Sequence, residues 1–432
     1  MTFPSVSLLV DETLADWRAA GDDFPSFGRP YTVSEQERRE ALLDGYLDRL
    51  QQHLRRASGT RSSVDRVLAC AMPLIADLSA CALDMEDSYV TALLRDGFSD
   101  IGVSLAVEAR RLDPTVSMAD ILQACRNAWT ACALQLMIGQ PLALTPAIFA
   151  YSMLYPYSDN YLDDPRVSRR AKLAFSERFR ERLAGQRLSP AHPVEQTIWE
   201  LVGIIESQYP RAMYPQVFES LLAIHAAQQS SISQLGHEED FDVLRLTFTK
   251  GGTSVLADAY LAAGTLTSAE SASAFRWGVL LQLGDDLQDL HDDRKRGSQT
   301  VFTRAESECG SLETATNRVF NFHERVLHDM RATTKSPGIL MRLLAQSAQS
   351  LLVRSAVYAG ELYSPKYQAE LEKHSPYRLV FLRSRERRFG RQSAAYLKLF
   401  ERFLSERIIS TNGGSPRRVA SGVGRAHAAL SH

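Results

Sequence analysis

Two clusters of aspartate residues each lie at the end of a long apolar stretch with helical periodicity. The clusters, Asp-Asn-Tyr-Leu-Asp-Asp and Asp-Asp-Leu-Gln-Asp, span 159–164 and 285–289. Residues four apart share one helical face, so Asp159 pairs with Asp163, and Asp285 pairs with Asp289. Grouped carboxylates repel one another unless cations lie between them, and oxygen ligands favour Mg²⁺ over Zn²⁺. Because Mg²⁺ usually combines one or two carboxylates with substrate phosphates, the pattern predicts a phosphorylated ligand such as a diphosphate.

Capping signals mark the helices that must carry these clusters. Thr145-Pro146 is an N-cap followed by proline at the first helical position, and it opens a helix that runs through the first cluster. Pro156 lies inside this helix and is expected to kink it. Thr267 forms a capping box with Glu270. The box opens a helix that carries the second cluster near its C-terminal end.

Helical patterns dominate the rest of the chain, and extended alternating runs are nearly absent, which predicts an all-α fold. A capping box of Ser34 and Glu37 begins the first of these helices, and Ser117 opens the one predicted at 117–138. The predicted organisation is an irregular arm at 1–33, a helical region packed on the core at 34–140, a catalytic core at 141–409 and a disordered tail at 410–432. Further helices are predicted at roughly 34–56, 64–82, 88–97, 117–138, 167–184, 193–208, 215–235, 253–263, 313–333, 336–358 and 376–408.

Composition excludes several classes of protein. The chain has 432 residues, of which 45% are hydrophobic, and a net charge of −2, so it can bury a large core and has no basic field for nucleic acid. Its five cysteines are scattered without C-x-x-C pairing, which argues against a zinc site and for a reducing compartment. No apolar run reaches membrane-spanning length. These features favour a cytoplasmic protein.

At these residues the chain resembles the class I isoprenoid diphosphate synthase superfamily, which includes trans-prenyltransferases, squalene/phytoene synthases and class I terpene cyclases. The first cluster, followed by Arg169-Arg170, is similar to the first aspartate-rich motif of trans-prenyltransferases and to the D-T-x-x-D-D form of squalene synthases. The closest match spans 253–300. It includes Thr253, Ala262-Ala263-Gly264, Gln282, the D-D-x-x-D at Asp285, Asp286 and Asp289, Gly297 and Thr300.

The chain departs from the trans-prenyltransferase pattern where that family binds its second diphosphate. In place of the family's Gly-Lys-Arg segment there is only Gly59-Thr60-Arg61, too far upstream, and Ser158 stands where the family has histidine. Lys250 is shifted three residues upstream of Thr253. The segment at 228–231, Gln-Gln-Ser-Ser, does not match the Gly-Gln-x-x-Asp element. These losses favour an enzyme that ionises one allylic diphosphate without condensing it with another.

The resemblance implies an isoprenoid synthase-type helical bundle with a central cavity and an N-terminal helical extension. Two carboxylate pairs, Asp159 with Asp163 and Asp285 with Asp289, would face each other across the cavity. The implied ligands of three Mg²⁺ ions are Asp159, Asp163, Asp164, Asp285, Asp286 and Asp289. The implied substrate contacts are Arg169, Arg170, Lys250, Thr253, Gln282 and Arg294 at the diphosphate, with Tyr151, Tyr155 and Trp277 along the hydrocarbon.

The leading prediction is a class I terpene synthase, a lyase that releases diphosphate from farnesyl or geranylgeranyl diphosphate and cyclises the remaining cation. Alternatives are a trans-prenyltransferase, a head-to-head condensing enzyme of the squalene/phytoene type, or a noncatalytic homologue that binds prenyl diphosphates. The second motif is unusual for a terpene cyclase, which more often carries an Asn/Ser/Glu triad there. The superfamily also includes many homodimers, so a homodimer is one expected state.

Simpler structural roles compete with each assignment. An acidic cluster at a helix end is often a solvated cap, and Arg169 with Arg170 would then be a solvated pair. Tyr151, Tyr155 and Trp277 could serve only as core aromatics.

Overall fold

The computed structural model describes residues 2–55, 73–74, 76–85, 93–234, 242–335, 338–385, 397–398, 400–401 and 404. All regular elements in these ranges are helices, so the predicted all-α class is confirmed for the described chain. The helices are α1 (Val6–Ala19), α2 (Val33–Arg55), α3 (Ser99–Leu112), α4 (Met118–Met137), α5 (Pro146–Asp163), α6 (Arg169–Leu183), α7 (Pro193–Gln208), α8 (Pro215–Gln234), α9 (Val243–Ala263), α10 (Ser268–Gln288), α11 (Leu290–Arg296), α12 (Val301–Cys309), α13 (Glu313–Thr333), α14 (Ile339–Tyr358) and α15 (Pro365–Lys373), with a π-helical turn at Leu94–Phe98 and a 3₁₀ turn at Gly360–Leu362.

The first helix corrects the prediction of an irregular arm at 1–33. Three prolines led to that prediction, but they lie outside α1 and do not interrupt it. Leu9, Val10, Leu14 and Trp17 recur at helical spacing and are all buried. Trp17 packs edge to face against the ring of Phe248 on α9, with ring centroids 5.9 Å apart. Tertiary burial of this apolar stripe therefore stabilises a helix where flanking prolines suggested a loop.

The capping predictions mostly agree with the structure. The N-caps of α4, α5 and α10 are Ser117, Thr145 and Thr267, as predicted. Each of these side chains accepts a hydrogen bond from a backbone N–H in the first turn of its helix. The α2 box is shifted by two residues from the prediction. Thr32 accepts the backbone N–H of Glu35, and the Glu35 carboxylate accepts the backbone N–H of Thr32 at 2.8 Å.

The ninth helix begins ten residues before the predicted start at 253, because it continues through the pair Gly251-Gly252. These glycines are buried where α9 packs closely against α10, the most extensive contact between two helices in the described chain. A Cβ added at Gly252 would lie 2.3 Å from the ring of Phe275. The glycines thus serve close packing at a cost in helix propensity of roughly 1 kcal/mol each.

One hydrophobic core includes residues from α1, α3 and α4 together with α5 to α10 and α13 to α15. Residues of both predicted regions, 34–140 and 141–409, belong to this one core. A smaller cluster joins α2 to the helical segments at 76–82 and 379–385 through Leu43, Leu47, Leu78, Cys81, Tyr377 and Phe381.

Several predictions fall at the edges of the described chain. The helices predicted at 64–82, 88–97 and 376–408 lie only partly within the described residues, and the tail at 410–432 lies outside them. Besides α1, the helices α3, α11, α12 and α15 were not predicted. Of the helices in the described ranges, none combines the length and apolar character needed to cross a bilayer.

Candidate functional site

The first carboxylate cluster lies at the C-terminal end of α5. Asp159 is half-buried, and its Oδ1 accepts a hydrogen bond of 3.4 Å from Nε2 of Gln228 on α8. Burial raises the pKa of Asp159 to about 6; the positive charge of Lys250 opposes this shift and the negative charge of Asp163 adds to it. Asp163 itself is exposed one turn further along the helix. The ionised pair is therefore electrostatically unfavourable until a cation joins it.

The second cluster lies at the C-terminal end of α10. Asp286 is buried and raised in pKa to about 7 by that burial, although Gln282 donates a hydrogen bond of 2.8 Å to its Oδ1. The carboxylate of Asp285 is accessible to solvent, yet the surrounding protein raises its pKa to about 6 by desolvation, with a further contribution from Asp289. Asp285 therefore lies in a recess rather than on a convex surface.

Lys250 on α9 links the two clusters electrostatically. Its charge opposes the burial-driven rise in the pKa of Asp159 on α5, and also that of Asp285 and Asp286 on α10. In the described chain no ion pair within 4.0 Å joins Lys250 to any carboxylate. The exposed ammonium group of Lys250 therefore lies within electrostatic range of both clusters.

A glycine crossing holds Lys250 in this place. A Cβ built on Gly251 would lie 2.4 Å from the Cβ of Gln282 and 2.6 Å from the carbonyl oxygen of Gly278. The α9 and α10 backbones are therefore in direct contact one residue after Lys250. Gln282, which orients Asp286, lies at the same crossing.

Other predicted site residues lie outside this group or contact only protein. Asp164 is the C-cap of α5 and accepts hydrogen bonds from two side-chain nitrogens of Arg166. These hydrogen bonds lower the pKa of Asp164 to about 2. Arg294 forms an ion pair of 2.9 Å with Glu306 on the surface. Arg169 and Arg170 are exposed in the first turn of α6. The Thr253 hydroxyl is fully buried and donates to the backbone carbonyl of Thr249 at 2.6 Å.

A narrow cavity lies below Asp159, between α5, α6 and α8. Tyr151 and Tyr155 form its aromatic side, with ring centroids 5.4 Å apart at an interplanar angle of 75°. The cavity volume is about 30 Å³, enough for one or two water molecules. Trp277, predicted on the opposite wall, is buried in the core and does not line this cavity. The described lining is Tyr151, Leu154, Tyr155, Ser158, Phe179, Leu183, Leu221, Ile224, His225 and Gln228.

Polar groups lie deeper, behind the two tyrosines. The Tyr155 hydroxyl is 2.5 Å from the hydroxyl of Ser254 on α9. One turn further along α9, Asp258 is fully buried, and its pKa is raised well above the usual value by that burial. Asn127 on α4 donates to its Oδ1 at 3.0 Å. Burial thus favours the protonated form of Asp258, and its hydrogen bond with Asn127 joins α4 to α9.

The carboxylates suit a hard divalent cation by the chemistry of their oxygens and by their mutual repulsion. Among the described residues, no three His, Cys, Asp or Glu side chains form a ready-made ligand group. The carboxylates are arranged instead as pairs at two helix ends. Paired carboxylates match Mg²⁺, which takes one or two from the protein and completes its coordination with water and substrate phosphates.

The site also contains residues that the sequence reasoning missed. Gln228 contacts Asp159, His225 lines the cavity, and the charge of Arg126 on α4 opposes the upward shift in the pKa of Asp285. His225 and Gln228 are three apart, so they share the α8 face that lines the cavity. The spacing of His225 and Gln228 is visible in the sequence. Arg126 and Asp285 are far apart in the sequence, so only the packing of their helices brings them into electrostatic range.

Comparison with protein-family models and with curated proteins finds no match for this chain. The candidate site is therefore interpreted from its own residues.

Proposed function

We propose that this protein is a metal-dependent enzyme acting on an allylic prenyl diphosphate, and that it works as a class I terpene synthase. The observation that carries the proposal is the position of Lys250, whose charge acts on Asp159 of one cluster and on Asp285 and Asp286 of the other. A cation within electrostatic range of two sets of carboxylates, with an aromatic and apolar cavity below Asp159, suits a ligand with a polyanionic head and a hydrocarbon tail.

The head-group chemistry follows from the charges. Raised pKa values at Asp159, Asp285 and Asp286 mean that the unliganded protein holds more negative charge in this recess than its surroundings favour. Bound Mg²⁺ would supply charge neutralisation for the diphosphate leaving group. Lys250 would donate to a phosphate oxygen, and its ammonium charge would stabilise the negative charge that develops when the carbon–oxygen bond breaks.

The hydrocarbon chemistry follows from the cavity wall. The rings of Tyr151 and Tyr155 lie below Asp159 along α5, where an allylic cation released at the carboxylates would form. An aromatic face stabilises a cation by about 0.5–2 kcal/mol, and the apolar residues around it exclude water. The cavity volume of about 30 Å³ is far below the roughly 300–1,000 Å³ of small-molecule sites, so binding requires α5, α6 and α8 to separate.

One contact favours a second candidate function, a trans-prenyltransferase. Gln228 donates a hydrogen bond to Asp159. It lies in the segment at 228–231, which stands in place of the family's Gly-Gln-x-x-Asp element without matching it. A prenyltransferase would use the same ionisation and then join the allylic cation to a second diphosphate. The exposed Arg169 and Arg170 would be candidates for contacts with that co-substrate.

Product analysis separates these proposals. Purified protein with Mg²⁺ would be incubated with farnesyl or geranylgeranyl diphosphate, alone and with isopentenyl diphosphate, and volatiles and diphosphates measured by mass spectrometry. A cyclic product from one allylic diphosphate supports the terpene synthase, and a longer diphosphate formed only with isopentenyl diphosphate supports the prenyltransferase. No turnover in any mixture would overturn both enzymatic proposals.

Matched variants identify the residues responsible. Asp159→Asn and Asp285→Asn should each abolish turnover without unfolding the protein. Asp292→Asn is the control, because Asp292 is an exposed carboxylate on neighbouring α11 that pairs with Lys295 at 2.9 Å. Equal activity in all three variants would show that catalysis occurs elsewhere.

A further inference from the structure

A second concave site lies beside the C-terminal end of α6, away from the carboxylates. It is a polar groove of about 620 Å³, within the range of roughly 300–1,000 Å³ that is typical of small-molecule sites. Three arginines and one glutamate give its lining a positive charge. The lining residues are Arg182, Gly185, Arg187, Leu188, Ser189, Trp199, Glu206 and Arg211.

Two of the arginines are held in fixed positions. Glu206 accepts hydrogen bonds from both terminal nitrogens of Arg182, at 2.8 and 2.7 Å, and from Nε of Arg211 at 2.8 Å. Arg211 donates in addition to the carbonyl of Leu183 at 2.7 Å and lies over the ring of Phe218. One carboxylate thus orients two guanidinium groups and can neutralise only one of their charges.

The third arginine lining the groove is Arg187. Arg187 is exposed, and within the described chain it makes no ion pair or side-chain hydrogen bond. The turn that carries it depends on Gly185, whose φ of +97° is a conformation other residues rarely adopt. A Cβ at Gly185 would also lie 3.3 Å from Nε of Arg211. The chain therefore turns closely against Arg211 and places Arg187 at the groove.

An unsatisfied donor belongs to the same lining. The Trp199 side chain is buried, and among the described residues its indole N–H has no hydrogen-bond partner. Because the side chain lines the groove, its indole N–H resonance reports on a ligand bound there. The Trp199 ring also packs on Phe179, with centroids 6.4 Å apart, and Phe179 lines the cavity below Asp159.

We propose that this groove binds a small dianion, such as a phosphate monoester or a dicarboxylate, at a site separate from the carboxylate clusters. Planar guanidinium groups bind phosphate and carboxylate oxygens in a bidentate manner, and two surplus positive charges match a dianion. Arg187 supplies an exposed guanidinium, the pair of Arg182 and Arg211 supplies a fixed positive wall, and Trp199 lines the same groove. The concave shape suits a small molecule rather than an extended polymer.

The indole N–H of Trp199 offers a direct test. The full chain, labelled with ¹⁵N at its tryptophan indoles, would be titrated with inorganic phosphate and separately with succinate, in EDTA so that the carboxylate clusters stay free of metal. The one indole resonance missing in Trp199→Phe should move in a saturable manner. A shift with phosphate alone, with succinate alone or with both supports the site and identifies the anion it selects.

Two exposed arginines supply matched variants. Arg187→Gln should lower the affinity for the anion by about tenfold, because it removes a charge-assisted hydrogen bond. Arg342→Gln, which removes an exposed arginine on α14, should leave the titration unchanged. The proposal fails if neither anion gives a saturable shift, or if Arg187→Gln binds as tightly as the parent protein. Neither result depends on the proposed enzymatic activity.

Discussion

A Cβ atom on Gly278 would lie 2.2 Å from the carbonyl oxygen of Gly251, so the backbones of α9 and α10 touch at this point. The contact has a functional consequence because Lys250 precedes Gly251 and Gln282 lies one turn beyond Gly278. The crossing brings the ammonium group of one helix beside the carboxylates of the other. The stability of the fold and the geometry of the candidate site thus depend on the same pair of glycines.

Gly278→Ala should destabilise the protein by about 1–3 kcal/mol, because the added methyl group meets backbone rather than a movable side chain. Gly203→Ala is the matched control. Gly203 lies inside α7 with no atom within 4 Å of an added Cβ, so alanine should stabilise the helix by up to about 1 kcal/mol. Urea unfolding measures both changes. Equal stability of the two variants would contradict the close crossing.

Lys250→Met should weaken binding of magnesium pyrophosphate by roughly ten- to a hundredfold, because it removes the ammonium group shared by the two clusters. Methionine retains an unbranched apolar stem, so folding should be preserved. Isothermal titration calorimetry measures the affinity, with Lys366→Met, an exposed position on α15, as control. Unchanged affinity in Lys250→Met would remove Lys250 from the head-group site.

Asp286 should make stability fall as pH rises in metal-free buffer. Its folded-state pKa is about 7, mainly through burial, against roughly 3.9 in an unfolded chain. Between these values the folded state holds more protons, so the free energy of unfolding decreases from about pH 4 to pH 7. Asp159 and Asp285 act in the same direction.

Asp286→Asn tests this dependence, since asparagine can still accept the hydrogen bond from Gln282. The variant should unfold like the parent near pH 4.5 and be more stable than the parent at pH 8, with a flatter profile between. Thermal unfolding in EDTA at several pH values measures this. Asp292→Asn removes a carboxylate whose pKa is lowered by Lys295, so its profile from pH 5 to 8 should match the parent. Parallel profiles for the parent protein and Asp286→Asn would show that Asp286 is not the titrating group.

Tyr155 should limit the length of the hydrocarbon that the cavity accepts. Tyr155→Ala would enlarge the cavity and shift the kcat/KM ratio towards geranylgeranyl over farnesyl diphosphate, at a stability cost of about 3–5 kcal/mol. Tyr155→Phe keeps the ring and loses only the hydroxyl contacts with Ser254 and Tyr151, so it should retain the parent preference. An unchanged ratio in Tyr155→Ala would place the hydrocarbon in another part of the fold.

The sequence by itself determined the features that depend on local hydrogen bonds and periodicity. Ser117, Thr145 and Thr267 fixed the starts of three helices because an N-cap satisfies backbone donors within its own first turn. The same periodicity placed Tyr155 below Asp159 on α5 and established the all-α class. Both carboxylate clusters were evident for the same reason, since residues four apart share a face.

Tertiary structure decided how these faces meet. Packing against α9 made a helix of residues 6–19, and the backbone contact at Gly251 and Gly278 continued α9 through a glycine pair. Asp164 belonged to the cluster by spacing, but it lies at the helix end and bonds to Arg166. The side-chain period of a helix shows which residues are neighbours on its surface. Only the packing of one helix against another decides which surface they face, and that packing brought Lys250 within electrostatic range of both clusters.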